Sequence, residues 1–388
     1  MSRVIGIICE YNPFHNGHKY QIEQIRANEP DATILAVMSG NVVQRGEFAM
    51  IDKKERAKIA LENGVNAVFE LPYPYSASTA EIFANAGVEI VSKLGCDALY
   101  FGTENESLEK LEKIAEIIDT PEFKKELDIS ISENDDSFIA VKESTLKKFG
   151  AVLPKNANDM LAIEYIRAIK RKKLNIEYHS IKRIGSFYND EELGEVMSAS
   201  GIRKHFYKSY EILSVPSVPY YEEIANKGKY LDIEAANRCL HSFVLANSNR
   251  KIKAFDTSLE MTSLIIEKAK NSCNGEEFMN KLSSKAFTTA RLKRSILYAL
   301  FGVNKVDFAP KFTVLLGMDK KGREHLNKVK KEMNFAVITK HSDARCLKKR
   351  AGEIFKCSYL VDEFYNTLLV NPLPPIDAYK TKPTIKTK

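Results

Sequence analysis

The chain of 388 residues is 44% apolar and 28% charged, which excludes a disordered or collagen-like chain and a small disulfide scaffold and leaves room for two ordinary domains. Its net charge of +7 hides a split: residues 1–200 carry 24 Lys and Arg against 32 Asp and Glu, whereas residues 201–388 carry 34 against 19, so a front of −8 precedes a back of +15. No apolar run approaches the roughly 20 residues that span a bilayer, the apolar opening runs into Glu10 without a cleavage site, and six cysteines without Cys-x-x-Cys spacing read as a reduced, cytoplasmic protein that meets no membrane.

Strands alternate with helices through the first hundred residues. Residues 3–9 and 32–38 are short runs rich in Val and Ile, read as strands. Asp52 is a good N-cap with Glu55 three places on, and the helix it opens ends at Gly64. Residues 67–71 form a third strand closed by Pro72-Tyr73-Pro74, residues 79–93 a helix, and residues 98–101 a fourth strand ending at Gly102. That order predicts a parallel sheet covered on both faces, with ligands at the carboxyl ends of the strands. Residues 9–18, 39–47, 72–78 and 102–104 are then expected around one crevice.

Residues 105–150 are acidic and read as helical, with a loop around residues 133–136. A helix over 158–173 and a fifth strand over 176–184 follow. Beyond about residue 205 the pattern predicts helices with no further strand–helix alternation. The expected division is therefore a catalytic domain over 1–205 and a basic, mostly helical region over 206–388 with a loose tail from Asn371.

The strongest chemical signal is Tyr11-Asn12-Pro13-Phe14-His15-Asn16-Gly17-His18, directly after the first strand and opening the first helix. A helix N-terminus offers free N–H groups and a positive dipole end to an anion, and two imidazoles three residues apart add donors aimed at the same place. Gly17 lets phosphate approach the backbone closely. Such a site can hold ATP and stabilise charge on the α-phosphate as pyrophosphate leaves. A zinc reading of the two histidines finds only Glu10 as a further ligand, so no metal site is assigned. The second signal is Met197-Ser198-Ala199-Ser200-Gly201-Ile202-Arg203, whose hydroxyls and guanidinium can close over the β- and γ-phosphates. Read alone, it is equally an ordinary Ser-capped helix. Cys9 has no His–Asp partner pattern and reads as a packed strand residue.

Together the two signals resemble the nucleotidylyltransferase superfamily with a His-x-Gly-His motif. The longer wording Gly6-Ile7-Ile8-Cys9-Glu10-Tyr11-Asn12-Pro13-Phe14-His15-Asn16-Gly17-His18, with Met38-Ser39-Gly40-Asn41, Gln44-Arg45-Gly46, Glu70-Leu71-Pro72 and Phe101-Gly102-Thr103-Glu104, is similar to the bacterial tRNA(Met) cytidine acetate ligases. The resemblance implies a Rossmann-like parallel-sheet core followed by a mostly helical C-terminal domain. It also implies a ligase that makes acetyl-adenylate from acetate and ATP and passes the acetyl group to the wobble cytidine of elongator tRNA(Met), giving N4-acetylcytidine. By position it assigns ATP binding to the run from Ile7 through Lys19 and Tyr20, to Gly102, to Asn158 (with Asn156 as the alternative) and to Arg183; Ser198 and Ser200 join them. Catalysis is read from the residue chemistry: His15, His18 and Arg203 are suitable cations or donors for bringing two anions together. ATP is a co-substrate accompanied by Mg²⁺, and no tightly bound cofactor is implied.

The basic half carries runs such as Arg291-Leu292-Lys293-Arg294 and Lys328-Val329-Lys330-Lys331, and Lys328, Lys330 and Lys331 are the expected tRNA contacts. Two other readings compete. A small-molecule adenylyltransferase of cofactor biosynthesis shares the His-x-Gly-His chemistry but leaves the basic half unexplained. A non-catalytic RNA-binding module leaves the intact His15, His18 and Arg203 unexplained.

Overall fold

The run Val4–Cys9 is apolar on both sides, and it lies in the middle of a sheet with both faces covered. In this computed structural model the described residues are 2–133, 138–183, 197–209, 215–250, 253–307, 309–331, 333–380 and 382–386. The front half runs β1 (Val4–Cys9), α1 (Asn16–Asn28), β2 (Thr33–Ser39), a hairpin of β3 (Val42–Val43) and β4 (Glu47–Phe48), α2 (Lys53–Glu62), β5 (Ala67–Leu71), α3 (Ala80–Lys93) and β6 (Ala98–Thr103). Helices α4 (Leu108–Asp119), α5 (Pro121–Glu133), α6 (Phe138–Lys148) and α7 (Ala157–Arg171) then lead to β7 (Glu177–Lys182). Two predicted boundaries, the loop at residues 134–136 and the strand end at Ile184, lie outside the described residues.

The parallel strands are ordered β5-β2-β1-β6-β7. The chain reverses its direction of travel across the sheet between β1 and β6, which puts the ligand crevice at the carboxyl end of β1. Strand alternation sorts the core. Ile5, Ile7, Ile34, Ala36 and Val68 pack with Ile22 and Ile25 of α1 and Ala57 of α2 on one face. Val4, Leu35, Val37 and Phe69 pack with Phe83, Ala86 and Ile90 of α3 on the other. Asp52 caps α2 through the Lys54 N–H at 2.8 Å, and Thr79 caps α3.

The back half is mostly helical, as expected, but it does not lack strand–helix alternation. After α8 (Ala199–Ser209), α9 (Val218–Asn226), α10 (Ile233–Ala246), α11 (Leu259–Lys270), α12 (Gly275–Lys281) and α13 (Thr289–Leu300), the apolar run Phe312–Met318 forms β8, followed by α14 (Lys320–Val329) and β9 (Ala336–Ile338). Strand β8 pairs antiparallel with β5 and parallel with β9, extending the main sheet. After α15 (Lys349–Thr367), residues Thr384–Ile385 form β10 and pair with β8, so the tail is docked rather than loose. Phe-Thr-Val-Leu-Leu is a short apolar run with β-branched residues, which suits a buried strand. Among the described residues no helix is long and apolar enough to cross a membrane.

A buried ion cluster ties the halves together. Lys53 Nζ donates to both Glu70 oxygens at 2.7 Å and to Asp362 Oδ2 of α15 at 2.6 Å, and Asn41 bridges Asp52 and Asp362 at 3.0 Å. Burial alone would lower the Lys53 pKa, but Asp362 and Glu70 hold it raised. Replacing Lys53 by Met strands two buried carboxylates. The expected cost is about 3–5 kcal/mol of stability, read from the urea midpoint of the full chain. A fragment ending at residue 205 lacks both Asp362 and β8, exposing the β5 edge. It is expected to show no cooperative thermal transition; a sharp transition would restore residue 205 as a folding boundary.

Candidate active site

The sheet opens at the carboxyl end of β1 into a cleft of about 590 Å³. Three helix N-termini border it: those of α1, α7 and α8. Each directs the positive end of its dipole at the same space, which is the electrostatic requirement of a polyphosphate site.

The turn between β1 and α1 fixes the two histidines. Tyr11 takes a φ of 48°, a left-handed conformation rare for an aromatic residue. Its fully buried ring holds that turn in place by packing edge-on against Phe14 at 4.7 Å and His18 at 4.8 Å. His15 caps α1, its Nδ1 accepting the Gly17 N–H at 3.1 Å. His18 Nδ1 accepts the His15 N–H at 3.2 Å, and the two rings stack at 3.7 Å. With both Nδ1 atoms engaged as acceptors, the neutral tautomer of each ring carries its proton on Nε2. Burial, followed by the positive charges of Arg183 and Arg203, pulls the His15 pKa down to about 3. Burial and the neighbouring His15 ring lower that of His18 well below its ordinary value. Both histidines are therefore neutral Nε2–H donors.

The Ser-x-Ser-x-Ile-Arg segment arrives from the opposite side. Ser198 caps α8 by accepting the Gly201 N–H at 3.0 Å, so the ordinary capping role and a place in the cleft coincide. Arg203 Nη1 donates to Asn12 O at 2.7 Å, and its Nη2 lies 3.4 Å from Ser200 Oγ and 3.7 Å from Glu47. On the β6 side, Asp159 is fully buried and accepts the Glu104 and Asn105 N–H groups. Asn158 donates to Glu104, and Arg183 lies 4.0 Å from the same carboxylate. A Cβ on Gly102 would sit 3.3 Å from Arg183 Cγ, so glycine leaves the arginine stem free to cross the strand end.

The cleft thus brings together His15, His18, Gly102, Asn158, Arg183, Ser198, Ser200 and Arg203. From the run Ile7–Tyr20 it also receives Ile8, Cys9, Glu10, Tyr11, Asn12, Gly17 and Tyr20. The others do not line it. Ile7 packs beneath the sheet, Phe14 is buried against Tyr11, and Lys19 is exposed beside Glu23 at 3.9 Å. Pro13 belongs to the turn, and Asn16 is the first residue of α1. Cys9 is buried and its thiol pKa is raised by burial, which suits packing and not nucleophilic attack.

The hairpin wall lies within residues 39–47, which strand position places at the crevice without assigning them a role; residues 72–78, expected there too, do not line the cleft. Gln44, Arg45 and Glu47 line the cleft, and helix α13 braces them: Lys293 Nζ pairs with Glu47 at 2.6 Å and Arg294 Nη1 reaches Gln44 O at 3.3 Å. Gly46, at a φ of +74°, lies against the Arg294 backbone, where a Cβ would come within 2.7 Å. The Gln44-Arg45-Gly46 string was the available signal. Glu104 and Lys155 also reach the cleft; Lys155 had no signal beyond its charge.

Lys328, Lys330 and Lys331 lie elsewhere. Helix α14 crosses the amino ends of the strands, with Asp319 N bonded to Asn66 O at 2.9 Å, Lys321 Nζ to Asp31 O at 2.7 Å and His325 Nε2 to Leu94 O at 2.8 Å. Strands of six or seven residues separate these lysines from the cleft by about 20 Å.

The free-enzyme pH profile follows from the histidines. The kcat/KM for ATP is expected to show no imidazole inflection between pH 6 and 8, since His15 titrates near 3. The unfolded chain protonates that histidine below about 6.5 while the native chain does not. Stability present at neutral pH is thus lost as pH falls, by up to about 1.4 kcal/mol per pH unit for His15, measurable as a melting shift absent from His15→Asn.

Residues 2–375 match the family model for HIGH nucleotidyl transferases. The tRNA(Met) cytidine acetate ligase of Fusobacterium nucleatum is 33% identical over 385 residues, covering 94% of this chain and 95% of its own. That of a Thermoanaerobacter species is 35% identical over 360 residues, covering 87% and 89%. The crystal structure of Thermotoga maritima TmcAL bound with alpha-thio ATP superimposes with a TM-score of 0.89 at 27% identity, with full coverage of both chains. By the length and level of these matches, the chain belongs to the tRNA(Met) cytidine acetate ligase family of HIGH nucleotidyl transferases.

Proposed function

We propose that this chain is an ATP-dependent tRNA(Met) cytidine acetate ligase working through acetyl-adenylate. The observation that carries the reading is the pair of neutral Nε2–H donors at the α1 N-terminus, facing a cleft bordered by two further helix N-termini. An acetate oxygen attacks the α-phosphorus of ATP, and the bond to the bridging oxygen breaks, releasing pyrophosphate. His15 and His18 donate to the phosphate oxygens on which charge builds, and Arg203 with the α8 N-terminus takes the departing pyrophosphate. The exocyclic amine of the wobble cytidine of elongator tRNA(Met) then attacks the acetyl carbonyl, AMP leaves, and the nitrogen loses its proton. Two anions must meet in the first step, so positioning and charge neutralisation are the work and no side-chain nucleophile is needed. Asn158, Arg183 and Gly102 face the adenosine side of the cleft, and Lys328, Lys330 and Lys331 are assigned to a more distant part of the RNA.

Mg²⁺ belongs with the ATP. The cleft carboxylates are already engaged, Glu10 by the Gln44 N–H, Glu47 by Lys293 and Glu104 by Asn158. An ion arriving with ATP would be held mainly by phosphate oxygens and water. A reduced cytoplasmic setting completes the reading.

Exchange of labelled pyrophosphate into ATP tests it. The wild-type chain is expected to exchange only with acetate present, and His18→Ala to lose about 10²–10³ in rate with an unchanged melting curve. Exchange without acetate would favour a small-molecule adenylyltransferase. Absence of exchange would favour a non-catalytic RNA-binding module.

A further inference from the structure

The described cations around the cleft fall into two groups. Most are held. Arg203 is bonded to Asn12 O, Lys293 to Glu47, and the fully buried Arg56 to backbone carbonyls, while Arg183 lies beside Glu104. Arg45 and Lys155 are exposed and make no hydrogen bond or ion pair with any described residue. Their charges have nearby carboxylates only at longer range, Arg45 toward Glu10 and Glu47 and Lys155 toward Glu143.

Their positions are complementary. Arg45 is at the tip of the β3–β4 hairpin, on the β2 side of β1, and α13 braces that tip through Glu47 and Gln44. Lys155 stands just before α7, on the β6 side, where Asp159 anchors the start of the helix to the loop after β6. The two cations therefore flank the mouth of the cleft from opposite walls of the sheet's switch point, each on a backbone segment fixed from behind.

A base whose exocyclic amine must reach the bottom of this cleft cannot stay stacked in a helix, and its two neighbouring phosphates necessarily remain outside. We propose that the mouth is an entrance for single-stranded RNA, with Arg45 and Lys155 binding the phosphates on either side of the inserted nucleotide. This rests on the reading of the chain as an RNA-modifying ligase. It also separates two basic surfaces: the mouth, which threads the strand, and the lysines at the end of α14, at the far end of the sheet, which can meet only a remote part of the same RNA.

The test uses the full chain with Arg45→Gln, Lys155→Gln, the double variant, and the Lys328→Ala, Lys330→Ala, Lys331→Ala triple variant. Elongator tRNA(Met) transcript is the probe. Binding is followed by fluorescence anisotropy against salt, and acetyl transfer by tRNA concentration dependence. The double variant is expected to flatten the slope of log affinity against log salt by about one to two units and to raise the KM for tRNA roughly tenfold. The KM for ATP in acetate-dependent pyrophosphate exchange should rise less than twofold. A wild-type slope in the double variant, with loss of slope in the triple variant alone, overturns the entrance. An equal rise in the KM values for ATP and tRNA overturns it too, because the cations would then serve the triphosphate. The anisotropy arm reads binding directly, so a wild-type chain without acetate-dependent exchange would overturn the ligase reading while the slope still decides the entrance.

Discussion

One buried guanidinium holds the floor of the cleft. Arg56 of α2 is fully buried, and among the described residues no carboxylate is hydrogen-bonded or ion-paired to it. Its nitrogens donate to Ile51 O at 3.0 Å, Ser39 O at 3.1 Å, Gly40 O at 2.6 Å and Glu10 O. Three of those carbonyls terminate β1 and β2, where a parallel sheet would otherwise present a row of unsatisfied acceptors to an anionic ligand. A cation in a dry interior is costly unless its hydrogen bonds are complete, and here backbone dipoles complete them. By drawing the carbonyls down, Arg56 leaves the loops above with N–H groups and imidazoles facing the ligand. The turn through Tyr11, the hairpin wall and the histidine pair all stand on this arrangement.

Neutral histidines suit a cleft already crowded with cations. Arg183 and Arg203 lie close enough to depress His15, and a protonated imidazole there would add like charge to an enclosed space. A neutral Nε2–H donor has no such desolvation cost while the cleft is empty, yet it still stabilises negative charge when a phosphate arrives. Arginines and helix dipoles supply long-range attraction; the histidines supply short-range direction. That division explains why both Nδ1 atoms are tied to the backbone, since a freely rotating ring could offer either nitrogen.

Much of this was legible in the sequence where local rules act alone. The strands of the front half, the Asp52 and Thr79 caps and the helix start at His15 follow from periodicity and capping chemistry, and the structure has them within a residue or two. Strand β8 was not legible because its partner β5 lies about 245 residues away in sequence, at pairs such as Phe69 and Leu315. In the site, strand position put residues 39–47 at the crevice but did not show what braces them. Glu47 and Arg45 matter through Lys293 and the mouth, contacts that only tertiary structure creates. Within the run Ile7–Tyr20, strand alternation and helix periodicity necessarily turn some residues inward to the core, so a contiguous motif is not a contiguous surface.

The charge split of the sequence is likewise not a split of the structure. The basic half contributes β8 to the sheet, Asp362 to the buried cluster at Lys53, and the α13 brace behind the hairpin. Glu47 is the meeting point: one oxygen pairs with Lys293 of the back half at 2.6 Å, and the other lies 3.7 Å from Arg203, whose guanidinium also holds Asn12 beside the histidines. The brace from α13 and the guanidinium beside the histidines are therefore linked through a single carboxylate, so the basic half helps set the charge of the cleft as well as its shape.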